Sequence, residues 1–105
     1  MVDLRPGASL KELQHYVRLC EAERGFAEQS SLEKCLLLGE EFGELFKAVR
    51  KASGLKTDPV SSVPQVSEEL ADILNYLLAI ANRFDIDLDM AFADKERVNR
   101  TRSWT

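Results

Sequence analysis

Apolar residues recur at helical spacing in four stretches of the chain, and no period-two run is flanked by turn residues. The first stretch begins behind Ser9, where SLKE reads as a capping box with Glu12 in third position. Leu10, Leu13, Tyr16, Val17, Cys20 and, further on, Ala27 form its apolar stripe, and Gly25 is placed to end it. A second box, SSLE with Ser30 and Glu33, opens a helix expected to reach about Ala52 and to be closed by Gly54. GLKTDPVSSVPQ, residues 54–65, then carries two of the three prolines and no periodicity, so it predicts a flexible loop. Ser62 with Gln65 is expected to cap a third helix running to about Phe84. Asp87 is expected to cap a short fourth, Leu88 to about Asn99. The pattern predicts an all-α, four-helix bundle in a single domain spanning 1–105.

The third helix is apolar nearly all round: Val66, Leu70, Ile73, Leu74, Leu77, Leu78, Ile80, Ala81 and Phe84 cover more than one face. Such a helix needs neighbours on both sides. A chain of 105 residues buries only about two-thirds of its unfolded surface. Completion of the bundle by homo-oligomerisation, as a homodimer or a dimer of dimers, is therefore expected.

Composition narrows the function. A formal net charge of −4 argues against a nucleic-acid polymer as partner, since backbone binders are normally basic. No apolar run is long enough to span a bilayer, and MVDLRPGASL lacks the apolar core of a signal peptide. Cys20 and Cys35 form no CxxC pair and are expected to be free thiols. A cytoplasmic location is expected.

The chemistry concentrates in carboxylates. In EEFGE, Glu41 and Glu44 are three apart and lie within about 60° of each other on one helix face. Glu69 and Asp72 in EELAD repeat the spacing on the third helix. If the two helices pack antiparallel, both pairs face one small space, where unpaired carboxylates repel and resist ionisation. No matching set of Lys or Arg stands on those faces, and a hard divalent cation would relieve the repulsion. Oxygen-only ligands favour Mg²⁺, with Mn²⁺ as a substitute, over Zn²⁺. Either pair alone occurs often on solvated faces; the apolar neighbours Leu45, Phe46, Val49, Leu70, Ile73 and Leu74 set these apart. A di-iron bundle would require ExxH motifs, and the sole histidine, His15, belongs to none.

The sequence EEFGE, a linker, then EELAD resembles the MazG family of all-α nucleoside triphosphate pyrophosphohydrolases. The gap between the pairs, Leu45 to Glu68, is 24 residues and falls within the range of that family's pattern. ERGF before the second helix, DILNYLLAIANRFDIDL in the third and KERVNRTR near the end extend the resemblance from about Leu13 to Arg102. The tail departs from it: Ser103 and Trp104 follow where relatives often have an aromatic and a proline. The resemblance implies Mg²⁺-dependent hydrolysis between the α and β phosphates of a nucleoside triphosphate, releasing a monophosphate and pyrophosphate, in a nucleotide-pool housekeeping role. Glu41, Glu44, Glu69 and Asp72 become the catalytic metal ligands. Lys95, Asn99 and Arg102 match the family's KxxxNxxR element and become substrate-binding groups, with Tyr76 as an aromatic near the nucleotide. Glu40 and Glu68 are either outer-shell groups or solvated neighbours, about 100° round the helix. Lys47, Arg50 and Lys51 suit a helix C-terminus through the dipole alone. Phe26 and Trp104 are candidates to stack on a base and Asn75 to hydrogen-bond one; each reads equally well as packing or capping. Phosphoribosyl-ATP pyrophosphohydrolase has similar carboxylate logic, although ILNYLL after Asp72 looks less like that branch. A non-catalytic helical interaction module is the alternative from another class.

Overall fold

A computed structural model of the chain describes residues 3–55 and 65–102. It consists of α1 (Leu10–Arg24), α2 (Ser31–Ala52), α3 (Val66–Arg83) and α4 (Leu88–Arg100), with no strand among the described residues. The fold is all-α, as the periodicity predicts. The expected cap at Ser62, most of the expected loop and Trp104 lie outside the described residues.

The helix ends follow local chemistry. Ser9 and Ser30 each accept a hydrogen bond from the backbone of the glutamate three residues on, and that glutamate reaches back to the cap backbone. Gly25 stands in the left-handed region at φ 77°, which lets the Phe26 N–H turn back onto the Glu21 carbonyl at 2.8 Å. The α1 stripe stops there: Ala27 is exposed beyond the helix and does not extend it. At the start of α3, Gln65 is itself the cap residue and makes no side-chain capping bond. The Asp87 side chain accepts from the Asp89 and Met90 backbones and starts α4.

The long helices α2 and α3 make the main packing pair; α1 lies against α3, and α4 touches α1. The α2–α3 pair is antiparallel. Glu41 meets Glu69 and Asp72, while Lys34, seven residues before Glu41, lies over Tyr76, further along α3. A buried glutamine clamps the other end. Gln14 donates to the Ile86 carbonyl at 2.7 Å and accepts from the Leu88 N–H at 2.9 Å, tying α1 to the turn between α3 and α4.

The core is small. Val17, Leu78 and Ala79 are buried together, flanked by Leu10, Leu13, Tyr16 and Leu88. Much of the apolar surface lacks cover: Leu32, Leu36 and Phe46 on α2 are 69%, 66% and 65% exposed, and Leu70 on α3 is 53% exposed. The radius of gyration, 16.4 Å, exceeds the ~13 Å of a compact domain of this length. The apolar faces of α2 and α3 are thus left largely uncovered within the chain. No helix among the described residues is long and apolar enough to cross a membrane.

Candidate active site

The antiparallel packing of α2 on α3 brings three of the four expected carboxylates together. Glu41, Glu69 and Asp72 each present an oxygen within 4.8 Å of the others. Glu69 is buried, Glu41 half-buried and Asp72 exposed, so the group forms a wall that opens to solvent. Glu44 stands one turn further along α2, outside this group. It pairs with Lys47 at 3.7 Å, so Lys47 does more than complement the helix end. Glu44 still bears on the cluster, adding its charge to the field at Glu69. Glu40 and Glu68 are exposed, as their positions round the helices imply.

Glu69 shows the strain of the arrangement. A hydrogen bond with Glu41, its own burial, and the charges of Glu41, Asp72 and Glu44 push its carboxyl up to about 7. Its Oε2 is buried and has no hydrogen-bond partner among the described residues. Asp72, although exposed, is also raised, first by partial desolvation of its carboxyl and then by Glu41 and Glu68. An unpartnered buried carboxylate oxygen beside two more carboxylates is a costly arrangement in a protein alone. It is also a set of hard oxygen donors close enough together to converge on a divalent cation. The residues therefore fit a hard divalent cation.

Beyond the carboxylates lies a cavity of about 190 Å³ between α1, α2 and α3. Glu41 and Asp72 line one part of it, with Phe26, Lys34, Asn75 and Tyr76 around the rest. Tyr76 thus lines the same cavity as Asp72, one turn before it on α3. Burial, together with Glu41, Asp72 and Glu40, raises its pKa and keeps the hydroxyl a proton donor. Lys95, Asn99 and Arg102 do not line this cavity. Lys95 is exposed on α4, whose packing partner is α1, and Asn99 donates to Glu96 at 3.2 Å. Within one protomer the structure does not bring these three to the acidic cluster.

Sequence reading also missed a second charged cluster that borders the same cavity through Glu21 and Lys34. Glu21 accepts both arms of the Arg83 guanidinium, at 2.8 and 2.7 Å, and the Lys34 ammonium lies 3.1 Å from the same carboxylate. Burial would raise Glu21, but the bonds from Arg83 and Lys34 outweigh it and hold the carboxyl below the usual range. Lys34 is 4% exposed, and its ammonium rests over the rings of Phe26 and Tyr76, 5.2 and 5.6 Å from their centres. The available signal was periodic: Lys34 precedes Glu41 by two turns and so shares its inward face.

An all-α bundle with ExxE and ExxD helices joined at a carboxylate cluster defines a class of helical, metal-dependent phosphohydrolases, and the comparisons narrow it. The sequence model of the MazG nucleotide pyrophosphohydrolase domain matches residues 28–101. The chain belongs to that family, and is a hydrolase acting on nucleotide pyrophosphate bonds. Among solved structures, it is similar to the candidate pyrophosphatase YpjD of Bacillus subtilis, at 28% identity and a TM-score of 0.78 over 94% of this chain and 100% of that one. It is also similar to iMazG from Vibrio DAT 722, at 28% identity and a TM-score of 0.70 over 93% of this chain and 100% of that one. No curated protein sequence matches it.

Proposed function

We propose that the protein hydrolyses nucleoside triphosphates between the α and β phosphates, with Mg²⁺, to a monophosphate and pyrophosphate. The carrying observation is the convergence of Glu41, Glu69 and Asp72 within 4.8 Å, with a buried, unpartnered oxygen on Glu69. These three would hold the metal, and Glu44, one turn away and paired with Lys47, would be the fourth carboxylate available to it. Bound there, Mg²⁺ would offset charge on the phosphate oxygens and make water more acidic.

The chain's own residues supply the rest. Glu69 must lose its proton for its carboxylate to serve as a ligand, and the field of its neighbours opposes that loss until positive charge arrives. The hydroxyl of Tyr76 remains a donor beside the carboxylates and orients the nucleotide at the cavity mouth. Lys95, Asn99 and Arg102 are kept as phosphate or sugar contacts, Arg with two parallel bonds and Lys as a point charge. They reach a site only if a second protomer brings α4 to it. The uncovered faces of α2 and α3 supply the surface for a homodimer or a dimer of dimers. The protein works as a housekeeping enzyme on the cytoplasmic nucleotide pool.

The test is product analysis with canonical and modified nucleoside triphosphates, and with phosphoribosyl-ATP, in the presence of Mg²⁺. Pyrophosphate as the phosphorus product is expected. Release of orthophosphate, or no turnover of any of them, would contradict the proposal.

A further inference from the structure

The cavity behind the carboxylates is too small for a whole nucleotide. Its volume is about 190 Å³, whereas pockets that enclose drug-sized ligands run from roughly 300 Å³ upward. It takes one end of the substrate. Glu41 and Asp72 sit on one part of its wall, and under the function proposed above their metal draws the phosphates to that part. The base is then left to face Phe26, Lys34 and Tyr76.

Lys34 is out of balance where it stands. Glu21 is already matched by the two-armed bond from Arg83, so the ammonium adds a second cation to one carboxylate. Glu21, Arg83 and Lys34 together carry one net positive charge in a buried setting. Burying unmatched charge is costly, and a Leu or Met at this position of α2 would pack without that cost. An ammonium has three protons to place. One is directed at Glu21, and the ring faces of Phe26 and Tyr76 favour the charge without accepting a full hydrogen bond. The remaining capacity borders the cavity.

We infer that Lys34 is a specificity-determining residue, which donates from the cavity floor to a keto oxygen of the substrate base. The substrate class is then a nucleoside triphosphate whose base carries a keto acceptor: cytosine, uracil, thymine or guanine. Adenine offers no keto oxygen and leaves the ammonium without its acceptor. The inference rests on the proposed function. Phe26 and Tyr76 serve it by bracing the ammonium.

The experiment compares kcat/KM for pyrophosphate release from the ribo- and deoxynucleoside triphosphates of each base, with Mg²⁺, for the wild type and Lys34→Met. The wild type is expected to favour at least one keto-bearing base over adenine by about tenfold or more, the size of a charge-assisted hydrogen bond. Lys34→Met is expected to collapse that ratio, and Lys34→Arg to keep part of it. Because Glu21 retains Arg83, the Met variant is expected to fold, which circular dichroism checks. Should it not fold, the wild-type preference alone still decides. Turnover of every base at equal efficiency by the wild type would overturn the inference and leave the proposed function intact. So would a Met variant that loses the same factor on every base, since that places Lys34 on the phosphates. Turnover of none would overturn the proposed function and the inference together.

Discussion

Two clusters of charge border one cavity, and they answer the cost of burial in opposite ways. On the α1 side, Glu21 is held by Arg83 and Lys34 with short bonds to both oxygens. Between α2 and α3, Glu41, Glu69 and Asp72 crowd together, with no ion pair to any of them among the described residues. The first cluster has its carboxylate paired within the chain, with the Lys34 ammonium in excess, and it ties α1, α2 and α3 together. The second is complete only with something added. Charge that is already paired builds structure, while charge left unpaired at such cost marks the place where a ligand is expected.

The largest effect should come from breaking the paired cluster. Glu21→Gln leaves Arg83 and Lys34 buried without their carboxylate, and loss of one partner of a buried pair typically costs about 3–5 kcal/mol. A lowered urea midpoint is expected; a midpoint within error of the wild type would mean that the cluster contributes little. The same change in the unpaired cluster should have the opposite sign. Glu69→Gln removes repulsion, so the metal-free protein at pH 8 should melt higher. Its kcat/KM should fall at least about a hundredfold, because even groups behind a metal ligand are worth about 10–100-fold.

The pH dependence separates the clusters further. The Glu69 carboxyl is raised from 4.5 to about 7. Between those values the folded state therefore binds more protons than the unfolded state. Stability of the metal-free protein should fall as pH rises from about 5 through 7, and Glu69→Gln should flatten that slope. Glu21 is lowered, so its contribution is present above 4.5 and is lost as the solution is acidified below that. Melting curves across pH 3–8 read both limbs. The smallest effect belongs to the exposed Glu44–Lys47 pair: Lys47→Ala should shift stability by no more than about 0.5 kcal/mol.

What could be read from the sequence was local or periodic. Ser9–Glu12 and Ser30–Glu33 announce helix starts because both partners lie within one turn. The ExxE and ExxD pairs announce a shared face for the same reason. Glu21 and Arg83 are 62 residues apart, and no local pattern joins them; only the packing of α1 on α3 does. Gln14, which bonds the turn 72 residues later, was hidden in the same way. Glu44 diverges from the expected four-carboxylate set because Lys47 lies an equally short turn away, and spacing alone does not say which partner a carboxylate takes. The placement of Lys95, Asn99 and Arg102 depends on how α4 packs, and its partner within the chain is α1, not the α2–α3 pair that carries the carboxylates.

The most direct test of the central claim is a Mn²⁺ titration followed by electron paramagnetic resonance, in which bound ion disappears from the free-ion signal. At pH 8 the wild type should deplete that signal, with weaker binding at pH 6, where Glu69 holds its proton, and Glu69→Gln should deplete it much less. Equal depletion by wild type and Glu69→Gln, or none by either, would contradict a metal site built from the carboxylates of α2 and α3.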